Sequence, residues 1–136
     1  MKPKILIVDD DAEYAHLLAF NLNAQGCETI RAENGMQGLQ LARAEMPDVI
    51  LLDILLPDLD GLVVCDILGT QPSTRGIPIF MLSALDENWA RQRKRTAKFE
   101  YYFRKPVSFE VLGSGIRRAA QARHEALALK LREREL

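Results

Sequence analysis

Charge of one sign, a cysteine framework and long apolar runs are all missing from this chain of 136 residues. A formal net charge of −1 supplies no global field toward nucleic acid or anionic lipid, so a charge-driven partner has to be read from local clusters. The two cysteines, Cys27 and Cys65, are far apart and show no metal-type spacing. They read as small buried hydrophobes in a reducing compartment. No apolar stretch approaches the ~18 residues of a membrane helix. The apolar start Ile5 to Val8 is too short for a signal-peptide core and runs straight into Asp9-Asp10-Asp11, so a cytoplasmic location without membrane contact is expected. Repeats and low-complexity linkers are also lacking. What remains, 48% hydrophobic and 27% charged residues, is the composition of one globular domain with enough apolar mass for a core.

The stretch that organises the rest is Val49-Ile50-Leu51-Leu52-Asp53. A short, unbroken apolar run bounded by turn residues reads as a strand buried on both faces, since a strand with one wet face would alternate. Pro47 and Asp48 precede it, and Pro57 and Gly61 punctuate the loop that follows. Asp53 then stands at the carboxyl end of a central strand, the edge at which open α/β sheets place ligand chemistry. The plain alternative is an acid that caps the next helix.

In chain order, strands and helices alternate. Lys4 to Val8 is a second apolar run ending on acid, followed by a helix from Ala12 to Gln25 with Tyr14, Leu18 and Leu22 at helical spacing and Gly26 as its closing residue. Glu28 to Ala32 is a weaker strand whose charged neighbours place it at a sheet edge. Asn34 is an N-cap for a helix burying Gly38, Leu39 and Ala42, and Gly61 to Leu68 carries Val64, Cys65 and Leu68 inward. Ile79 to Leu82 forms a fourth strand ending at Ser83, with Pro78 at its start. A basic helix from about Asp86 to Lys98, a strand from Glu100 to Phe103 and a long last helix from about Ser108 complete the chain. Five strands alternating with five helices imply a parallel sheet covered on both faces, a doubly wound α/β domain. The last helix outruns one layer of a small domain. Residues 1–122 are therefore taken as the domain and 123–136 as an extension of that helix, either solvated or serving as a linker or pairing helix.

In a parallel sheet the carboxyl ends of the strands share one edge. Asp9 and Asp10, Asp53, Ser83 and Lys105 converge there. Three packed carboxylates repel one another unless a cation neutralises them. Mg²⁺, which takes one or two carboxylates, waters and a phosphate oxygen, suits so small a site. Lys105 adds a positive charge and Ser83 a hydroxyl donor, and the set complements a phosphoryl group carried by a carboxylate.

The chain here resembles the response-regulator receiver domains of two-component signalling. The resemblance spans roughly residues 4–120 and rests on Ile5-Leu6-Ile7-Val8-Asp9-Asp10-Asp11, Leu51-Leu52-Asp53 through Gly61, Met81-Leu82-Ser83-Ala84 and Tyr102-Phe103-Arg104-Lys105-Pro106. It implies a flavodoxin-like (βα)5 sandwich of strand order 2-1-3-4-5, and a signalling domain that catalyses only its own aspartyl phosphorylation and dephosphorylation. By position, Asp53 resembles the phospho-acceptor. Asp10 and, largely through water, Asp9 resemble the Mg²⁺ ligands, with Asp53 and the Leu55 backbone carbonyl. Ser83 resembles the switch hydroxyl, Tyr102 the switch aromatic and Lys105 the phosphate-pairing lysine. Leu55 and Leu85 occupy the positions flanking the site, and Lys105-Pro106 is expected to be cis. The implied partners are a histidine kinase or histidine phosphotransfer protein and a downstream protein target or a covalently following output domain, with homodimerisation open and no direct nucleic-acid contact.

Each residue keeps its plainer reading. Asp11 reads as a helix N-terminal acid, not a ligand. Tyr102 could be a core aromatic of an edge strand, and the basic run Arg91, Arg93, Lys94, Arg95, Lys98 a solvated helix face or a contact for an acidic partner. Receivers commonly carry Gly-Ala before the fifth strand, where this chain has Lys98-Phe99, so the end of the fourth helix must use another geometry. Two other functions compete: a constitutive interaction module that no longer switches, against which the intact Asp10, Asp53, Ser83 and Lys105 argue, and an aspartyl-nucleophile phosphatase, which needs a second aspartate where Leu55 stands.

Overall fold

The strand that ends on Asp53 has all four of its side chains buried: β3, Val49–Leu52, lies at the centre of a five-stranded sheet. The computed structural model describes residues 1–93 and 98–135. Around β3 the elements follow in order: β1 Lys4–Val8, α1 Ala12–Ala24, β2 Glu28–Ala32, α2 Gly35–Glu45, α3 Gly61–Thr70, β4 Ile79–Ser83, α4 Glu87–Arg93, β5 Tyr101–Arg104 and α5 Phe109–Glu135. The strands pair in parallel in the order β2-β1-β3-β4-β5. This is the flavodoxin-like doubly wound fold. The polarity of each strand matches its place: β3 and β4 are wholly buried, whereas β2 and β5, at the two edges, carry exposed or half-buried residues.

Each sheet face collects its own core. Leu6, Val8, Ile50, Leu52 and Met81 pack with Leu39, Val64, Cys65 and Leu68 under α2 and α3. On the other face Ile5, Ile7, Leu51, Phe80 and Leu82 meet Leu18, Leu22, Leu112 and Ile116 under α1 and α5. This alternation of strand side chains between two covered faces is why the sequence shows apolar runs instead of a polar/apolar period. Both cysteines are buried, and neither is in a disulfide.

Helix ends are fixed by local chemistry. Asp11 caps α1 by accepting the Tyr14 amide, Asn34 caps α2 through the Gln37 amide, and Asp60 caps α3 through the Leu62 amide. Asp11 thus stands at the helix N-terminus, as read from the sequence, and acts there as the cap. Gly26, at φ 91°, occupies the left-handed position just past the α1 C-cap, Gln25. α4 begins one residue later than expected, and its expected continuation through 94–97, with Lys94 and Arg95, lies outside the described residues. α5 is continuous to Glu135, but its last buried residue is Ala120; from His124 onward every described residue is exposed.

Candidate functional site

The ladders of the sheet run one residue past the strands and thereby position the site. Asp9 N–H donates to the Ala32 carbonyl at 3.1 Å, Asp53 N–H to Val8 at 3.0 Å and Lys105 N–H to Ser83 at 2.8 Å. Each polar residue is therefore anchored by its backbone at the point where its strand leaves the core. Asp9, Asp53 and Ser83 are buried there.

The three carboxylates converge: Asp9, Asp10 and Asp53 each offer an oxygen within 4.8 Å of the others. Lys105 Nζ sits between two of them, 2.6 Å from Asp9 Oδ2 and 2.9 Å from Asp53 Oδ2. The remaining oxygens are partly used by the chain itself, Asp9 Oδ1 accepting from Asp11 N–H at 2.9 Å and Asp53 Oδ1 from Leu55 N–H at 3.3 Å. Burial holds the Asp9 carboxyl above its usual proton affinity, against the opposing pull of Lys105 and the Asp11 amide. Burial also works against the Lys105 ammonium, but its hydrogen bonds to Asp9 and Asp53 outweigh this and its proton affinity is raised. Three acids share one ammonium, a deficit of positive charge that a hard divalent cation with oxygen ligands fits. Asp10 is exposed and its carboxylate makes no hydrogen bond among the described residues, so it is free to ligate.

Ser83 and Tyr102 are brought together on one residue. Ser83 Oγ accepts the Leu85 N–H at 3.2 Å, and the Tyr102 hydroxyl donates to the Leu85 carbonyl at 2.5 Å. The Tyr102 ring lies half-buried, 6.0 Å from that of Phe99, and burial raises its hydroxyl's proton affinity. The Lys105-Pro106 bond is cis, as expected. Leu55 is 56% exposed beside Asp53, whereas Leu85 is half-buried against the α2/α3-side core.

Three contributors escaped the sequence reading. Arg31, on β2, lays its guanidinium on the loop that carries the acids, donating to the Asp9 carbonyl through Nε at 3.3 Å and Nη2 at 3.2 Å and to the Asp10 carbonyl at 3.3 Å. Tyr14, read only as a helix-face residue, places its ring 4.7 Å from Lys105 Nζ and its hydroxyl 3.3 Å from the Val107 amide. Gly61 packs so closely on the β3–α3 loop that a Cβ there would stand 2.0 Å from the Asp53 carbonyl oxygen. A lone arginine inside a strand was the available signal for the first. The basic helix supports the solvated-face reading in part: Arg91 pairs with Glu87 and covers Phe99, and Arg93 stacks 4.1 Å from the Trp89 ring.

The fold and this edge define a doubly wound α/β domain whose polar chemistry is gathered at the carboxyl ends of its strands. Known proteins place it more narrowly. The family model described as the response regulator receiver domain matches residues 5–117. The response regulator PleD of Caulobacter vibrioides is 33% identical over 135 residues, which is 99% of this chain and 29% of PleD. The polar-differentiation response regulator DivK of Brucella anthropi is 37% identical over 108 residues, covering 79% of this chain and 88% of DivK. The solved receiver domain of a Francisella response regulator superposes with a TM-score of 0.80 at 29% identity, over 89% of this chain and 98% of that one. The chain belongs to the response regulator receiver domain family of two-component signalling. It spans under a third of PleD's length. No helix among the described residues is long and apolar enough to cross a membrane.

Proposed function

We propose that Asp53 accepts a phosphoryl group from the phosphohistidine of a histidine kinase or histidine phosphotransfer protein, and that the phosphorylated chain signals through a changed surface around α4, β5 and α5. The observation that carries this reading is the convergence of Asp9, Asp10 and Asp53 with Lys105 at one sheet edge. Asp53 Oδ attacks phosphorus in line, the P–N bond breaks, and the imidazole leaves with the bonding pair. Lys105, already within reach of Asp53, pairs with the transferred group. Asp9, Asp10, Asp53 and the Leu55 carbonyl are the groups that would hold Mg²⁺, which when bound neutralises charge on the phosphoryl oxygens. Ser83 then turns its hydroxyl from the Leu85 amide to a phosphoryl oxygen. Since Tyr102 bonds the same residue, the loop and the aromatic ring move together, a population shift driven by the new phosphate contact.

Around that switch, residues 1–122 form the domain and 123–136 extend its last helix, and the setting is the cytoplasm. Downstream, a separate protein target, a following output domain or a second copy of the chain would read the altered face. Incubation with acetyl phosphate and Mg²⁺, followed by intact mass, tests the assignment: the wild-type chain should gain one phosphoryl group and Asp53→Asn none. Uptake by Asp53→Asn at the native rate would overturn it. Calorimetry should show Mg²⁺ binding that is lost in Asp10→Ala.

A further inference from the structure

The opposite edge of the sheet, where the strands begin, holds a cavity of about 360 Å³ that the receiver chemistry does not use. The buried Ile77 and Ile79 line it, and Phe99 borders it. Among the described residues three cations, Arg75, Lys98 and Arg123, border it against one acid, Glu100. None of the three makes a side-chain hydrogen bond or ion pair among the described residues.

Arg123 is the unusual one. It is half-buried on α5; its Nε, shielded from solvent and therefore from the cavity, has no hydrogen-bond partner among the described residues, which leaves the terminal guanidinium nitrogens as the donors available to a ligand there. The acid nearest in effect, Asp48, is already committed: Oδ1 lies 2.7 Å from His124 Nε2 and Oδ2 accepts the Lys4 amide at 2.8 Å. Gly76 lines the same cavity beside the guanidinium: a Cβ there would stand in ordinary contact, 3.5 Å from Arg123 Nη1. Lys98 and Phe99, which border this cavity, are also the two residues standing where the resemblance leads one to expect Gly-Ala.

We infer that this cavity binds a small phosphomonoester with an apolar or aromatic body. The net charge of its described border, three cations and one acid, matches a dianion. The forked donors of Arg123 and Arg75 match phosphate oxygens, and the Ile77, Ile79 and Phe99 surface takes the body of the ligand. The site is separate from the acidic cluster, which lies at the carboxyl ends of the same strands.

Titration of the ¹⁵N-labelled full chain without Mg²⁺, using phenyl phosphate and inorganic phosphate as probes, tests this. Saturable shifts are expected at the Gly76, Ile77 and Glu100 amides, with phenyl phosphate the tighter ligand. Arg123→Gln should weaken phenyl phosphate about tenfold, as for the loss of one charge-assisted hydrogen bond. Arg75→Gln, at an exposed position, should weaken it in the same direction and keeps the test valid if the α5 variant fails to fold. Shifts centred on Leu55 and Ala84, equal binding of the two probes, or unaltered binding by Arg75→Gln would each overturn the inference.

Discussion

Arg31 holds the carbonyl of Asp9 with two of its guanidinium nitrogens, 3.3 and 3.2 Å away, while Nη2 also reaches the Asp10 carbonyl. An edge-strand cation thereby fixes the backbone of the two acids without touching their carboxylates. Arg31→Ala is expected to weaken Mg²⁺ binding about tenfold, the usual scale for groups that orient metal ligands from behind. Arg31→Lys should recover little, because a single ammonium cannot reproduce the fork. Calorimetry on both variants, with urea unfolding to confirm the fold, decides the point; native affinity in Arg31→Ala would refute the positioning role.

Gly61 lies close against the Asp53 carbonyl in the β3–α3 loop. Gly61 N–H also donates to the Ile54 carbonyl at 2.8 Å, so the contact cannot open without breaking the loop. Gly61→Ala would force a Cβ to 2.0 Å from backbone oxygen, which no rotamer change relieves. A loss of at least about 2 kcal/mol in urea unfolding is expected, at the upper part of the range for overpacking. Phosphoryl uptake from acetyl phosphate should fall with it, and a variant as stable as wild type would show that the loop yields.

How much of this was legible beforehand follows from the kind of contact involved. The apolar runs ending on Asp9, Asp53 and Ser83 announced strands, sheet edge and site together, because parallel strands buried on both faces write continuous hydrophobicity into the sequence. Asn34 and Gly26 were legible for the same local reason. Arg31 and Tyr14 were not. Their roles depend on which atoms they meet across the sheet, Arg31 standing opposite Ile7 in the β1–β2 register, and periodicity carries no record of a side chain reaching over a strand end. Gly61 was read as punctuation, when its necessity comes from a tertiary approach of backbone to backbone.

Asp58 predicts a pH dependence. Its carboxylate accepts the amides of Gly35 at 2.7 Å and Met36 at 2.9 Å, joining the β3–α3 loop to the first turn of α2. The Met36 hydrogen bond, with those of Gly35 and Leu59, holds its proton affinity below the usual carboxylate value. A lowered folded-state value means that the contribution to stability is present above the unfolded carboxylate value, about pH 4, and is lost as pH falls through the folded one. The urea midpoint of Asp58→Ala should therefore lie below that of wild type near neutral pH, and the gap should close in acid. A gap independent of pH would mean that the anionic cap is not its source.

The lifetime of the phosphorylated state should depend on what stands beside Asp53. An acyl phosphate is lost when water attacks in line, and Leu55 and Leu85, in the flanking positions, offer no side-chain hydrogen bond that could orient that water. The two are not equivalent. Leu85 is half-buried against the core, its backbone held at both ends by Ser83 and Tyr102. Leu55 is 56% exposed, two residues from Asp53, with its amide on Asp53 Oδ1. Leu55→Asn with Leu85→Glu should accelerate dephosphorylation at least about tenfold, or ~1.4 kcal/mol of barrier. Most of the effect should come from Leu55→Asn alone, since Leu85 is already engaged by the core. Decay followed by intact mass after removal of the phosphodonor distinguishes the cases. Equal lifetimes for wild type and the double variant would mean that water reaches the phosphoryl group by a path neither leucine borders.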